Sequence, residues 1–284
     1  MIPDLSKLRL YDGLHTDGKR KTTGEEEEKE EKKANIDLIF NKLVALKESL
    51  TTSPMEIKEL NLSQQGLTTI DVFVDDCIGS LGNLTRLNLT RNWFGAVVME
   101  KFSNALSKGA LPKLTHLYIR SNGFGDEGME SFAGALNIVK LPNLITLDLR
   151  DNGFSTIGMD KFSYALSQGA LQKLKNLYLS YNNFGDAGMS YFTKALEKNR
   201  ENPLKKNAFS ELKTLLIRDN GISENGISIF VNGIKDNKAL PKMTGIDLSE
   251  NDFKIFTGPV LDLFIHYGDK LNTVPLEMQL DHYV

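Results

Sequence analysis

Aliphatic residues recur along this chain at offsets of zero, three and five, followed by asparagine at offset eight. Leu84, Leu87, Leu89 and Asn92 return 30 residues later as Leu114, Leu117, Ile119 and Asn122. The same spacing then yields Leu144, Leu147, Leu149 and Asn152, and Leu174, Leu177, Leu179 and Asn182. Further copies stand at Leu212, Leu215, Ile217 and Asn220 and at Met243, Ile246, Leu248 and Asn251, with one ahead at Ile57, Leu60, Leu62 and Gln65. Weaker copies close the series at Leu5, Leu8, Leu10 and Gly13 and at Leu271, Val274, Leu276 and Gln279, making nine. Apolar residues at alternate positions predict a short strand with one buried face in each copy. In the last copy Pro275 lacks the N–H of a central strand, which predicts a terminal strand at a sheet edge.

A second pattern runs between the copies. Met99, Phe102, Ala105 and Leu106 recur as Met129, Phe132, Ala135 and Leu136, as Met159, Phe162, Ala165 and Leu166, and as Met189, Phe192, Ala195 and Leu196. Offsets of three, six and seven share one helical face, and Ile227, Phe230 and Ile234 continue it. Gly128, Gly158, Gly188 and Gly226 precede that face, and Asp126 and Asp186 stand where an N-cap would accept free N–H groups. Each unit therefore reads strand, turn, helix. Two insertions break the period. Residues 16–34 carry the run Glu25 to Lys33 and predict a solvated, mobile loop, after which Ile36, Ile39, Phe40, Leu43, Leu46 and Leu50 resume a helix. Residues 198–208 predict a bulge on the rim where helices return to strands, and residues 268–284 form the capping strand.

The Leu-x-x-Leu-x-Leu-x-x-Asn signature resembles the leucine-rich repeat, and a unit of about 30 residues with a full helix is similar to the ribonuclease-inhibitor-like subclass. The resemblance covers nearly the whole chain. It implies one α/β domain over 1–284, a solenoid or horseshoe with a parallel concave sheet of about nine strands, convex helices and an asparagine ladder tying down the turns. One unit leaves an apolar face uncovered, so stacking completes the core.

Composition fits this picture: leucine supplies 41 of 284 residues, with 23 asparagines and 23 glycines. Lysine plus arginine, 34, nearly balances aspartate plus glutamate, 37, so no basic field is expected to attract nucleic acid. No window approaches the roughly 18 apolar residues of a membrane helix, and the start of the chain lacks the pattern of a signal peptide. One cysteine, Cys77, forms no internal disulfide, which points to a reducing, cytoplasmic setting, in a host cell if the chain is an effector. Asp75 and Asp76 disfavour its thiolate, so Cys77 reads as structural.

Little resembles catalysis. Gly123-Phe124-Gly125-Asp126-Glu127-Gly128 has the form of a dinucleotide fingerprint, yet its glycines recur with the repeat, so a local turn accounts for them. His15, His116, His266 and His282 show no metal-ligand spacing, and no nucleophile elbow is present. No cofactor, metal or catalytic residue is expected. Trp93 reads as a turn-packing aromatic. The acceptor triplets at Asn61, Asn83 and Asn88 overlap predicted strands or adjoin them and are discounted as glycosylation sites.

Function then rests on the exposed strand positions, because the leucines alternate inward. The row before the middle leucine reads Glu59, Arg86, His116, Thr146, Asn176, Thr214 and Gly245. The central row reads Asn61, Asn88, Tyr118, Asp148, Tyr178, Leu216 and Asp247, and the third Ser63, Thr90, Arg120, Arg150, Ser180, Arg218 and Ser249. Nine strands spaced by about 4.8 Å make a face of the order of 38 Å, scaled to a macromolecule. Arg86, His116, Tyr118, Arg120, Asp148, Arg150, Tyr178 and Arg218 have the arginine and tyrosine content of a binding hot spot. The expected role is a non-enzymatic scaffold holding a protein partner, and replacing Tyr118 and Arg150 together should abolish capture with little loss of stability. Two alternatives are regulation of a small GTPase, in which Arg91 or Arg86 contributes from the rim, and an effector of an intracellular microbe acting by protein binding.

Overall fold

A computed structural model describes residues 7–9, 57–66, 73–74, 78–200, 209–235, 240–253 and 258. Eight strands, β1 (Lys7–Arg9), β2 (Glu59–Asn61), β3 (Arg86–Asn88), β4 (His116–Tyr118), β5 (Thr146–Asp148), β6 (Asn176–Tyr178), β7 (Thr214–Leu216) and β8 (Gly245–Asp247), form one parallel sheet in sequence order. Helices α1 (Gly95–Ser107), α2 (Gly125–Val139), α3 (Thr156–Ser167), α4 (Gly185–Arg200) and α5 (Glu224–Lys235) cross between strands, each packed on the next. This is the expected strand–helix solenoid. The position of a ninth strand, with Pro275, lies outside the described residues, as do the insertion at 16–34, the helix expected over Ile36 to Leu50, and Cys77. Helix α4 runs on to Arg200 and so absorbs the first residues of the second insertion.

Register follows the repeat without slippage. Leu60, Leu87, Leu117, Leu147, Leu177, Leu215 and Ile246 are mutual neighbours across β2 to β8, and Leu8 of β1 aligns with Leu60. Leu60, Leu87, Leu117, Leu147, Leu177, Leu215 and Ile246 are buried in one continuous core with the Met-Phe-Leu faces of the helices. The core also holds a row the repeat reading passed over: Phe94, Phe124, Phe154, Phe184 and Ile222, each two residues beyond a ladder asparagine. The Phe154 and Phe184 rings stack at 6.3 Å. That row plugs the space between each turn and its helix, and Gly128 lies so close under Phe124 that a Cβ would sit 2.5 Å from Phe124 Cβ and 3.0 Å from its ring. The formal nucleotide fingerprint is thus a packing device.

The asparagines do form a ladder. Asn92 Oδ1 accepts from Gln65 N–H at 2.7 Å, Asn122 from Asn92 at 2.8 Å, Asn152 from Asn122 at 2.9 Å, Asn182 from Asn152 at 3.1 Å and Asn220 from Asn182 at 3.2 Å. Asn251 Oδ1 closes the series on Asn220 N–H at 2.9 Å. Each side-chain amide donates back to carbonyls of its own turn and of the preceding repeat, as Asn122 does to Ile119 at 3.0 Å and Leu89 at 2.9 Å. Buried backbone groups that no helix or strand satisfies are paired this way.

The expected N-caps need correction. Asp126 sits inside the first turn of α2, whose N-cap Phe124 makes no side-chain cap bond. Its carboxylate reaches the following repeat instead, accepting from Ser155 N–H at 2.7 Å, Ser155 Oγ at 2.7 Å and Gly158 N–H at 2.8 Å. Asp186 repeats this against Ser223 N–H at 2.7 Å and Ser223 Oγ at 2.6 Å. Gly158 and Gly226 are glycines because a Cβ on either would strike that carboxylate. Burial alone would raise the pKa of Asp186, but hydrogen bonds from Ser223, Asn225 and Gly226 outweigh it and hold the carboxyl below its ordinary 3.8. With the folded pKa depressed, the stabilisation is whole above about pH 4 and is lost as pH falls through the folded value. Thermal melts of Asp186→Ala should therefore show a deficit against wild type that narrows below about pH 4; a constant deficit would exclude the charge as its source.

Candidate protein-binding face

The concave surface is built from the positions flanking each middle leucine, and strand register aligns them as rows. Glu59, Arg86, His116, Thr146, Asn176, Thr214 and Gly245 lie side by side, as do Asn61, Asn88, Tyr118, Asp148, Tyr178, Leu216 and Asp247. Within the central row the side chains divide by role. Asn61, Asn88, Asp148 and Asp247 turn back and accept the N–H two residues on, at 3.0 to 3.2 Å. Their short polar side chains close their own turns. Tyr118 and Tyr178 are too long to do so and rise above the sheet on either side of β5.

Strand β5 is accordingly a recess. Thr146 and Asp148, expected on the open surface, are both buried, and only 2% of Asp148 is exposed. Thr146 Oγ1 accepts from Asn176 Nδ2 at 3.0 Å. The Asp148 carboxylate is gripped by Arg150, with Nε to Oδ1 at 2.9 Å and Nη2 to Oδ2 at 2.7 Å. The guanidinium lies over the Tyr178 ring, 5.2 Å from its centroid. Burial works against the charge of Arg150, but the hydrogen bonds and charge of Asp148 outweigh it and raise its pKa further. Arg120 and Arg150 are neighbours in the third row, and Asp148 balances the charge of Arg150. Removing Arg150 would strand a buried carboxylate, so the double replacement with Tyr118 does not spare stability as the sequence suggests.

Two more arginine–tyrosine pairs flank the recess. Arg86 Nη1 donates to Tyr118 Oη at 2.9 Å, its Cζ 5.9 Å from the ring centroid, and its Nε lies 3.8 Å from Glu59 Oε1. Arg86 is therefore paired along the sheet with Tyr118 and Glu59 while its side chain stays partly exposed. Arg218 lies over Tyr181 at 5.6 Å and pairs with Glu250 through Nε and Nη2, the first at 2.8 Å. His116 stacks beside Tyr118 at 6.5 Å. Burial, and then Arg86, lower its pKa against the opposing pull of Glu59, so the imidazole is neutral at pH 7. Burial raises the pKa of both Tyr118 and Tyr178, with Asp148 adding to it, so both phenols keep their protons. Arg120 occupies the third row, half-buried beside Arg150. All eight expected residues lie between β3 and the turn after β7. Tyr181 and Glu250 join them, unseen in the sequence because they sit one position beyond the third row.

Trp93 departs from expectation altogether. It is 73% exposed, where packing into a turn was expected. Among the described residues no group of three or more histidine, cysteine or acidic side chains converges on a metal-sized site, and no helix is long and apolar enough to cross a membrane.

A family model described as Leucine Rich repeat matches residues 110–133, 140–163 and 170–192. No curated protein matches the sequence. Among solved structures, the actin-binding site 2 of leiomodin-1 aligns at 13% identity and a TM-score of 0.45, over 63% of this chain and 90% of that one. An internalin from Listeria monocytogenes aligns at 15% identity and 0.37, over 73% of this chain and 58% of its own. A complex of TLR13 with ssRNA13 aligns at 20% and 0.32, over 72% of this chain and 34% of that one. The family model is seated on three consecutive units of an eight-stranded, asparagine-laddered sheet, and the fold is that of a leucine-rich-repeat solenoid.

Proposed function

We propose that this chain is a non-enzymatic scaffold that binds a protein partner on its concave sheet, through Arg86, His116, Tyr118, Arg120, Arg150, Tyr178 and Arg218, with the buried Asp148 holding Arg150 in place. The observation that carries the reading is the set of three arginine–tyrosine pairs fixed in place by the chain's own carboxylates. Arginine and tyrosine dominate binding energy where they occur, and side chains already immobilised cost less to order on association. From β3 to β7 the patch spans about 19 Å, suited to a folded surface more than to a metabolite. A 30-residue unit with a helix of 12 to 16 residues supports the ribonuclease-inhibitor-like subclass. The single cysteine supports a reducing, cytoplasmic location.

The test replaces two protruding members that leave no buried charge behind. Arg86→Ser with Tyr178→Ser should retain the wild-type melting profile and lose the proteins that wild type captures from cell extract. Capture of the same set by the double variant would refute the concave assignment.

A further inference from the structure

A second surface lies on the rim where the strands turn into the helices. The position after the ladder residue is a left-handed glycine in four repeats, Gly66, Gly123, Gly153 and Gly221, with φ of +85°, +63°, +71° and +67°, and is Asn183 and Asp252 in two others. Trp93 holds the same conformation, φ +53°, with a bulky side chain that this region disfavours. Glycine is the commonest residue here, and the indole that stands in its place is exposed rather than stored in the core. Four residues on, Val97 is 69% exposed in the first turn of α1, and its equivalent two repeats later, Ile157 of α3, is 62% exposed. Between them, at the same place on α2, stands the exposed carboxylate of Glu127. The exposed ionisable groups farther along this rim are also acidic: Asp151, Asp219, Glu224 and Asp252. Arg91, on the same turn as Trp93, is half-buried.

We propose that this rim docks an amphipathic helix of a partner protein, apolar at both ends of its contact stripe and basic at the centre. Packed helices lie about 8–10 Å apart, so Val97, Glu127 and Ile157 mark three points separated by roughly that distance. An α-helix places residues seven and fourteen positions along at about 10 and 21 Å, on nearly one face. An apolar residue seats on Trp93 and Val97, a lysine or arginine seven on faces Glu127, and a second apolar residue meets Ile157. Trp93 supplies a large rigid anchor, and the acidic rim selects against an acidic helix.

Trp93 is the sole tryptophan of the sequence, so its fluorescence reports the site directly. The probes are two amidated helical peptides of about 21 residues, with leucine at positions i and i+14 and either lysine or glutamate at i+7. The lysine peptide should blue-shift Trp93 emission, shield it from acrylamide and bind roughly tenfold more tightly than the glutamate peptide. Glu127→Lys should reverse that preference. Trp93→Gly, followed by anisotropy of labelled peptide, should bind roughly tenfold more weakly while melting at the same or a higher temperature, because glycine relieves the backbone. The Arg86→Ser, Tyr178→Ser variant should bind the peptide as wild type does, which separates this surface from the concave one. A lower melting temperature for Trp93→Gly, equal or absent binding of the two peptides, or burial of Trp93 in a concentration-dependent dimer would each overturn the proposal.

Discussion

Asn152→Ala is expected to destabilise the protein more than any other single replacement of a polar side chain in the solenoid. Asn152 is 1% exposed, and its amide serves four backbone groups. Oδ1 accepts from Asn122 N–H at 2.9 Å, while Nδ2 donates to Ile119 and Leu149 at 3.0 Å and to Arg150 at 3.1 Å. Truncation orphans that N–H and removes the only side chain of the turn shaped to answer all four. At about 1–3 kcal/mol for each stranded buried group, and with water partly repairing the outer one, the loss should reach about 3–5 kcal/mol. Asn152→Asp separates the two halves of the role: a carboxylate still accepts from Asn122 but has no N–H for the three carbonyls, so it should be nearly as damaging at neutral pH. Urea unfolding read against Asn104→Ala, an exposed asparagine on α1, checks both. A loss below about 1 kcal/mol would show that the ladder is dispensable. Because each rung joins adjacent repeats, hydrogen exchange should quicken on both sides of the substitution.

Asp148→Ala should come next. Its carboxylate is the counter-charge of Arg150, whose side chain retains only 16% of its exposure. Breaking a buried pair from one side costs about 3–5 kcal/mol, reduced here because the guanidinium can swing outward into water; about 2–3 kcal/mol is expected from thermal or denaturant melts. The same change should release Arg150 from Tyr178 and disorder the recess, so partner capture should weaken even where fold is retained at low temperature. A variant as stable as wild type would mean that the pair is solvated and does not organise the face.

Where sequence and structure diverge, the cause is geometric. Repeat spacing identified every described strand and helix face because the apolar period is a direct imprint of burial. It also ordered the concave rows correctly, since parallel strands of equal repeats can only align in one register. Asp126 and Asp186 were misplaced because a 30-residue period shows that a residue begins a helix but not that its carboxylate caps the next one. Thr146 and Asp148 were expected on the open face because alternation assigns direction and ignores height. Between two tyrosines a short side chain on an outward position is buried all the same. Trp93 was expected in a turn because large aromatics are usually packed, and only its left-handed backbone and open surroundings reveal otherwise.

By itself, then, the sequence determined the repeating unit, the leucine and asparagine ladders, the solenoid class and the identity of the residues on its inner rows. All of these follow from periodicity, which is local and survives reading one residue at a time. Tertiary structure alone decided which arginine meets which carboxylate, that β5 is a recess, and that the tryptophan stands in solvent. Those depend on the length of side chains from neighbouring repeats, separated by 30 residues in sequence and by one strand spacing in space.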